Sequence, residues 1–374
     1  MNGNALPPAP HLPVSVLAAA FDEVTNSYKF YWFLAILESI REDAGSVLPL
    51  NVLLARMTAG VWYPVNYFRL SFGKQDQLGK VIALLGEKSG LPIDSPRSHV
   101  TQIALDHLQK RDEVGREVLS LGNFVPYRFL RPFFAEKLRG TKDWEVNRRI
   151  RQLAGQEFNN AHQPCLYRFV NSPSPSIELH PDWSAYLQEH LAILTGFCLW
   201  HLVNYLQRNN PNVPGIAAKL FEPQARDLTL ARKFWTLALK QNRTLNCIYS
   251  GQPLNVHDFS LDHFLPWRFV THDLLWNLIP TPKAVNSSKS DNLPDLTYFD
   301  PFARLQYQAV QAVLQTSQAP KLLEDYILLF KISGIGDLKT MDFSHFRDSL
   351  RAVIAPQMQI AANMGFSTGW KYMS

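Results

Sequence analysis

Apolar residues recur every three or four positions through most of this chain, the spacing that lines one face of a helix. From Val14 to Asp43 that period runs without a proline, predicting one long helix or two abutting ones. The aromatic-rich run "PLNVLLARMTAGVWYPVNYFRLSF" continues it, with Pro64 marking a break or kink. Lys74–Lys88, Ser98–Leu121 and Asp143–His162 read as amphipathic helices. In the last of these, "EVNRRIRQ" sets Arg148 and Arg151 on a shared face, for phosphate contact or simple solvation.

The period shortens at "CLYRFV" and "SIELH", and the turn-forming "NSPSP" between them predicts a β-hairpin. Helical spacing returns at Asp182–Gln207, ends at "RNNPNVPG", and resumes over residues 223–241. Three further helices, Phe302–Thr316, Lys321–Lys331 and Phe343–Met358, are separated by "SQAP" and "SGIGD". The expected fold class is mainly α with a small α+β insert. Its divisions are a disordered Pro-rich leader (1–13), a helical domain (14–163), a hairpin with helices leading into the insert (164–241), the insert itself (242–296), and a C-terminal helical region (297–374).

Within the insert, "NCIYSGQPL" and "DFSLDHFLP" are β-rich runs and "LWNLIP" is a further strand. "TPKAVNSSK" then opens as a helix, with Thr281 as N-cap and Pro282 at its first position. The expected unit is strand, irregular loop, strand, helix.

Composition narrows what such a unit does. Hydrophobic residues make up 46% of 374, enough for substantial cores. Apolar runs break well short of the roughly 18–20 residues a membrane span needs, so no membrane partner is expected. Three scattered cysteines and no CxxC pair argue against disulfides and a thiolate zinc site, and point to a cytoplasmic location. A net charge of +5 tilts toward polyanionic partners.

Asp262 and His263 are neighbours on an extended run, so their side chains leave on opposite sides. Phosphodiester cleavage needs a base for water, a cation on the scissile oxygens and positive charge near the backbone. His263 suits the base, because imidazole titrates near neutrality. Asp262 and the Asn286 amide oxygen suit a hard cation such as Mg²⁺ or Mn²⁺. Lys289 and Lys283, three residues either side of Asn286, are expected to share its face and contact phosphate. Asn277 is placed to bond backbone and hold the loop that aims the histidine. His272 and Asp273 read as helix-capping or solvated loop residues, Trp267 and Trp276 as core, and Asp291 as a partner for a lysine or for Asn286.

The order Asp-His, an asparagine fourteen residues after His263, another nine further on, and "KSDNLP" behind it resembles the HNH (ββα-metal) nuclease family. It is most like the Asn-ending version in type II CRISPR effectors. The resemblance spans about residues 245–295. It implies Asp262 and Asn286 as metal ligands, His263 as general base and Asn277 as the positioning asparagine. "CIYSG" matches the family's entry strand, but Ser250 stands where many relatives have a second cysteine, so structural zinc is not carried over. The expected activity is metal-dependent DNA cleavage, with RNA open as a substrate, in a restriction or anti-phage setting. The helical regions would bind a protein partner or a second copy. The rival is a non-cleaving nucleic-acid-binding or regulatory protein that uses the same unit as a grip.

Overall fold

The computed structural model describes residues 6–22, 24–160, 163–171, 173–223 and 225–373. It is 58% helical, with five short strands among the described residues. The chain divides into two compact units, Met1–Pro211 with Lys219–Glu222, and Asn212–Ala218 with Pro223–Ser374.

In the first unit, β1 (Val47–Pro49), β2 (Tyr167–Val170) and β3 (Ser176–Leu179) form an antiparallel sheet in the order β1-β3-β2. Helix Tyr28–Arg41 runs through the core with Phe30, Trp32, Phe33, Ile36 and Leu37 buried, and packs against helix Leu50–Trp62. The run from Val14 is thus two helices, Val14–Ala19 and Tyr28–Arg41. Ser27, at the start of the second, gives both its N–H and its hydroxyl to the Asp76 carboxylate, at 2.7 and 2.6 Å.

Pro64 acts as expected on helix Leu50–Trp62. The chain widens there into a π-helical turn, Tyr63–Tyr67, in which the Phe68 N–H reaches back five residues to the Tyr63 carbonyl.

The divisions expected at 163/164 and within the leader are corrected. β3 pairs β1 in the register Val47↔Glu178, so the hairpin completes a sheet begun before residue 50. Residues 1–5 of the leader lie outside the described residues. Its remainder is packed, with Leu6 and Leu12 buried and the Pro7 carbonyl accepting from the Tyr186 hydroxyl at 2.8 Å.

The run Ser98–Leu121 is likewise two helices, Arg97–Lys110 and Glu113–Leu121. Arg111 turns left-handed at φ 51°, and the Asp112 carboxylate caps the second helix by accepting from the Gly115 N–H at 2.9 Å. The two helices meet so closely that a Cβ on Gly115 would lie 2.1 Å from the His107 carbonyl oxygen. Backbone cannot yield as a side chain does. Gly115→Ala is therefore expected to destabilise the first unit by about 1–3 kcal/mol through overpacking. Chemical denaturation checks this; a midpoint equal to wild type would remove the close approach.

In the second unit, β4 (Ser260–His263) pairs antiparallel with β5 (Leu278–Thr281), and helix Lys283–Lys289 follows. One apolar core runs from Ala231 through Phe264, Trp276 and Phe302 to Phe366. The insert at 242–296 therefore shares its core with the helices after residue 297 instead of closing on itself. Helix Ile335–Thr340 occupies the stretch that "SGIGD" led us to read as a separator.

Two local expectations also change. Asn246–Leu254 is a turn in place of a strand: the Gly251 N–H bonds the Cys247 carbonyl at 2.9 Å, and Gly251 sits at φ 70°, a conformation that favours glycine. Pro282, in place of Thr281, holds the N-cap position of the following helix, with no side-chain cap bond.

Candidate active site

β4 and β5 place the motif residues by register. Asp262 lies opposite Ile279 and His263 opposite Leu278. Fourteen residues separate the strands, and Asn277 ties that excursion shut. Its Oδ1 accepts from the Leu265 N–H at 2.8 Å and its Nδ2 donates to the Leu265 carbonyl at 2.9 Å. Asn277 is fully buried, so both bonds are shielded from water.

The start of β5 is held from behind by helices far along the chain. Gln306, on helix Phe299–Leu314, donates its amide to the carbonyls of Leu275, Trp276 and Leu278 at 3.3, 3.3 and 3.0 Å. Trp235 donates to the same Leu278 carbonyl at 3.0 Å, and the Asp325 carboxylate accepts from the Leu275 N–H at 2.8 Å. These contacts fix the loop that carries Asp273.

Asp273 is where that matters. Its Oδ1 stands 2.8 Å from His263 Nε2, with the histidine side chain 7% exposed and the aspartate 19%. The expectation of Asp273 as a capping or solvated loop residue is corrected: it is the partner of the candidate base. His272 keeps the expected loop-capping character, its Nδ1 3.4 Å from the Leu274 N–H, and its ring also packs on Trp276 with centroids 5.2 Å apart.

Asp262 is 2% exposed. Its Oδ2 accepts from the Tyr249 hydroxyl at 2.9 Å and its Oδ1 from the Lys289 ammonium at 3.2 Å. Burial pushes its carboxyl above the usual range, and the Lys289 charge and the Tyr249 hydrogen bond pull it back. Tyr249 is itself wedged edge-on against Tyr298 and Trp370.

Lys289 has no exposed surface, and its ammonium also donates to the His263 carbonyl at 2.6 Å. The expected phosphate contact is therefore corrected, since a backbone-gripping cation must reach solvent. Lys283 is exposed, so the two lysines do not share a face. Six helical positions put them about 120° apart, which lets one point in and the other out. Asn286 is half-buried and spends its Nδ2 on the Leu261 carbonyl at 3.4 Å, leaving Oδ1 as the end that offers a lone pair. Asp291 pairs with Arg268 at 2.7 Å, and not with a lysine or Asn286.

The donor chemistry decides which cation this corner suits. No group of three His, Cys, Asp or Glu side chains converges among the described residues. One carboxylate has roughly four lone-pair directions, of which two are taken on Asp262. A carboxylate and an amide oxygen suit a hard cation that keeps most of its water shell.

Comparison with known proteins places a family match over the same segment. Residues 247–295 match the HNH endonuclease family. The chain thus carries an HNH endonuclease segment confined to part of its length. It is also similar to the CRISPR-associated endonuclease Cas9 of Listeria innocua serovar 6a, 25% identical over 233 residues. That match covers 57% of this chain and 16% of the Listeria protein. No solved structure matches the chain. HNH nucleases generally use a divalent metal ion. No helix among the described residues is long and apolar enough to cross a membrane.

Proposed function

We propose that this protein is a divalent-metal-dependent endonuclease that hydrolyses DNA phosphodiester bonds at the Asp262–His263 corner. The observation that carries the reading is the His263–Asp273 pair seated beside Asp262, inside the segment that matches the HNH family. The ββα-metal frame is our reading of β4, β5 and helix Lys283–Lys289.

With Nε2–H donated to Asp273, the lone pair of His263 lies on Nδ1, where it takes the proton of an attacking water. The water oxygen forms the new bond to phosphorus as the bond to the leaving oxygen breaks. Asp273 holds the ring in that tautomer and stabilises the imidazolium that forms, the role a buried carboxylate plays behind any histidine base. Asp262 and Asn286 would hold the cation, which when bound neutralises charge on the scissile phosphate. Asn277 acts as a positioning residue through Leu265, and Lys283 is the exposed cation left to meet the backbone. Lys289 takes a different role, as the buried counter-charge of Asp262.

A defence setting follows the name of the Listeria relative, and three buried free cysteines suit a reducing cytoplasm. One segment carries one such corner, so severing both strands requires two copies or two visits.

Asp273→Asn tests the pair. The amide keeps the shape but loses the charge, and it can turn its NH₂ toward the ring. Single-turnover cleavage of a labelled duplex is expected to slow by on the order of 10²-fold with little change in KM. A rate within twofold of wild type would remove Asp273 from the mechanism.

A further inference from the structure

Three adjoining concavities cross the surface of the first unit, far in sequence from the HNH segment. The first, about 430 Å³, is lined by Lys29, Arg128 and Arg131 beside Phe124 and Asp143. The second, about 400 Å³, shares Lys29 and Arg131 and adds Arg139 and Thr141. The third, about 660 Å³, begins at Thr141 and runs along helix Asp143–Gln156 past Arg148, Arg149 and Arg151. Shared residues make them one tract.

Seven cations line it against two carboxylates, Asp143 and Glu145, an excess of five that equals the net charge of the entire chain. Each acid is already engaged, Asp143 with Arg128 at 2.7 Å and Glu145 with Arg148 at 3.5 Å. Among the described residues, Arg149 bonds the neutral amide of Gln152 and Arg151 that of Asn171, with no ion pair for either. Burial holds the Lys29 ammonium below its usual range and the neighbouring Arg131 charge adds to that, offset in part by Asp22, so two like charges face each other where the first two concavities join. A fold gains nothing from such crowding by itself; an anion relieves it.

Two large exposed aromatics accompany the tract, Phe124 in the lining of the first concavity and Trp144 between Asp143 of the first and Glu145 of the third along the chain. Trp144 is 73% exposed and Phe124 56%. A cationic groove with exposed aromatic faces beside it is the combination that holds single strands, phosphates in the groove and bases stacked on the rings. An acidic protein surface would use the arginines and leave the two rings in water.

We infer that this tract binds single-stranded nucleic acid, with its arginines on the phosphates and Trp144 and Phe124 as stacking platforms. The inference goes beyond the cleavage reading and does not depend on it.

The test is fluorescence anisotropy of labelled 20-nucleotide single-stranded DNA and RNA, a duplex, and oligoglutamate, with the full chain in EDTA so that binding is read without cutting. Two variants are compared, Arg148→Gln/Arg149→Gln/Arg151→Gln and Trp144→Ala, each first shown to melt as wild type does. The triple variant is expected to lose at least tenfold in single-strand affinity. The slope of log K against log salt should shrink by about 2, at about 0.7 per lost phosphate contact. Trp144→Ala should weaken binding about fivefold or more with the salt slope unchanged. Unchanged affinity and slope in the triple variant overturn the proposal. So does oligoglutamate binding as tightly as the single strands with no effect of Trp144, which assigns the tract to an acidic protein. His263→Ala should bind like wild type whether or not the wild-type protein cuts, so failure here and failure of the cleavage reading are told apart.

Discussion

Replacing His263 by alanine is expected to lower the single-turnover rate of DNA cleavage by about 10²–10⁴-fold, the range general-base catalysis supplies. The position of the imidazole accounts for this. Its Nε2 stands 2.8 Å from Asp273 Oδ1, and it follows directly on the proposed cation ligand in β4. Its loss removes the proton acceptor while Tyr249, Lys289 and Asn277 keep their bonds, none of which uses the His263 side chain. KM should move little, since the ring acts on water and not on the remainder of the substrate. A variant that cuts as fast as wild type would show that some other group activates the water.

The second large effect is on stability. Lys289→Met keeps the length of the side chain and deletes its charge, leaving the 2%-exposed Asp262 carboxylate without a cation and the His263 carbonyl without its 2.6 Å donor. Breaking a buried ion pair from one side typically costs about 3–5 kcal/mol, because the remaining charge stays desolvated. We expect a loss of that order for the second unit in urea denaturation with EDTA present. Adding Asp262→Asn should recover part of it, because the two residues share one interaction and their effects are not additive. A Lys289→Met protein within about 1 kcal/mol of wild type would mean that the pair does not hold the corner together.

Much of this was legible before any coordinates. The helical period locates nearly every long helix, and Asp262, His263, Asn277 and Asn286 stand out as candidates through their side-chain chemistry and their resemblance to the HNH order. What spacing cannot carry is depth. Lys289 looks like a surface cation in the sequence, and only the closure of helix Lys283–Lys289 over β4 turns it inward. Asp273 carries no periodic signal, being ten residues past His263 in an irregular loop that Gln306 and Asp325, on distant helices, hold two residues on at Leu275. The helix breaks at Arg111 and before Tyr28 are accompanied by side-chain hydrogen bonds accepted by Asp112 and Asp76, which an apolar pattern does not record. The expected division at 163/164 fails for a different reason, since β1 and β3 lie about 130 residues apart in sequence and still form one ladder within the first unit.

The central claim is that a divalent cation and His263 together cut a phosphodiester, and a metal-dependence assay tests it most directly. Purified chain is incubated with supercoiled plasmid in Mg²⁺, in Mn²⁺ and in EDTA, alongside Asn286→Ala. The account predicts nicked or linear product with either metal and none in EDTA. It also predicts that Asn286→Ala needs at least tenfold more metal for the same rate, or fails to cut. Equal cutting in EDTA, or Asn286→Ala following the wild-type metal curve, would contradict it.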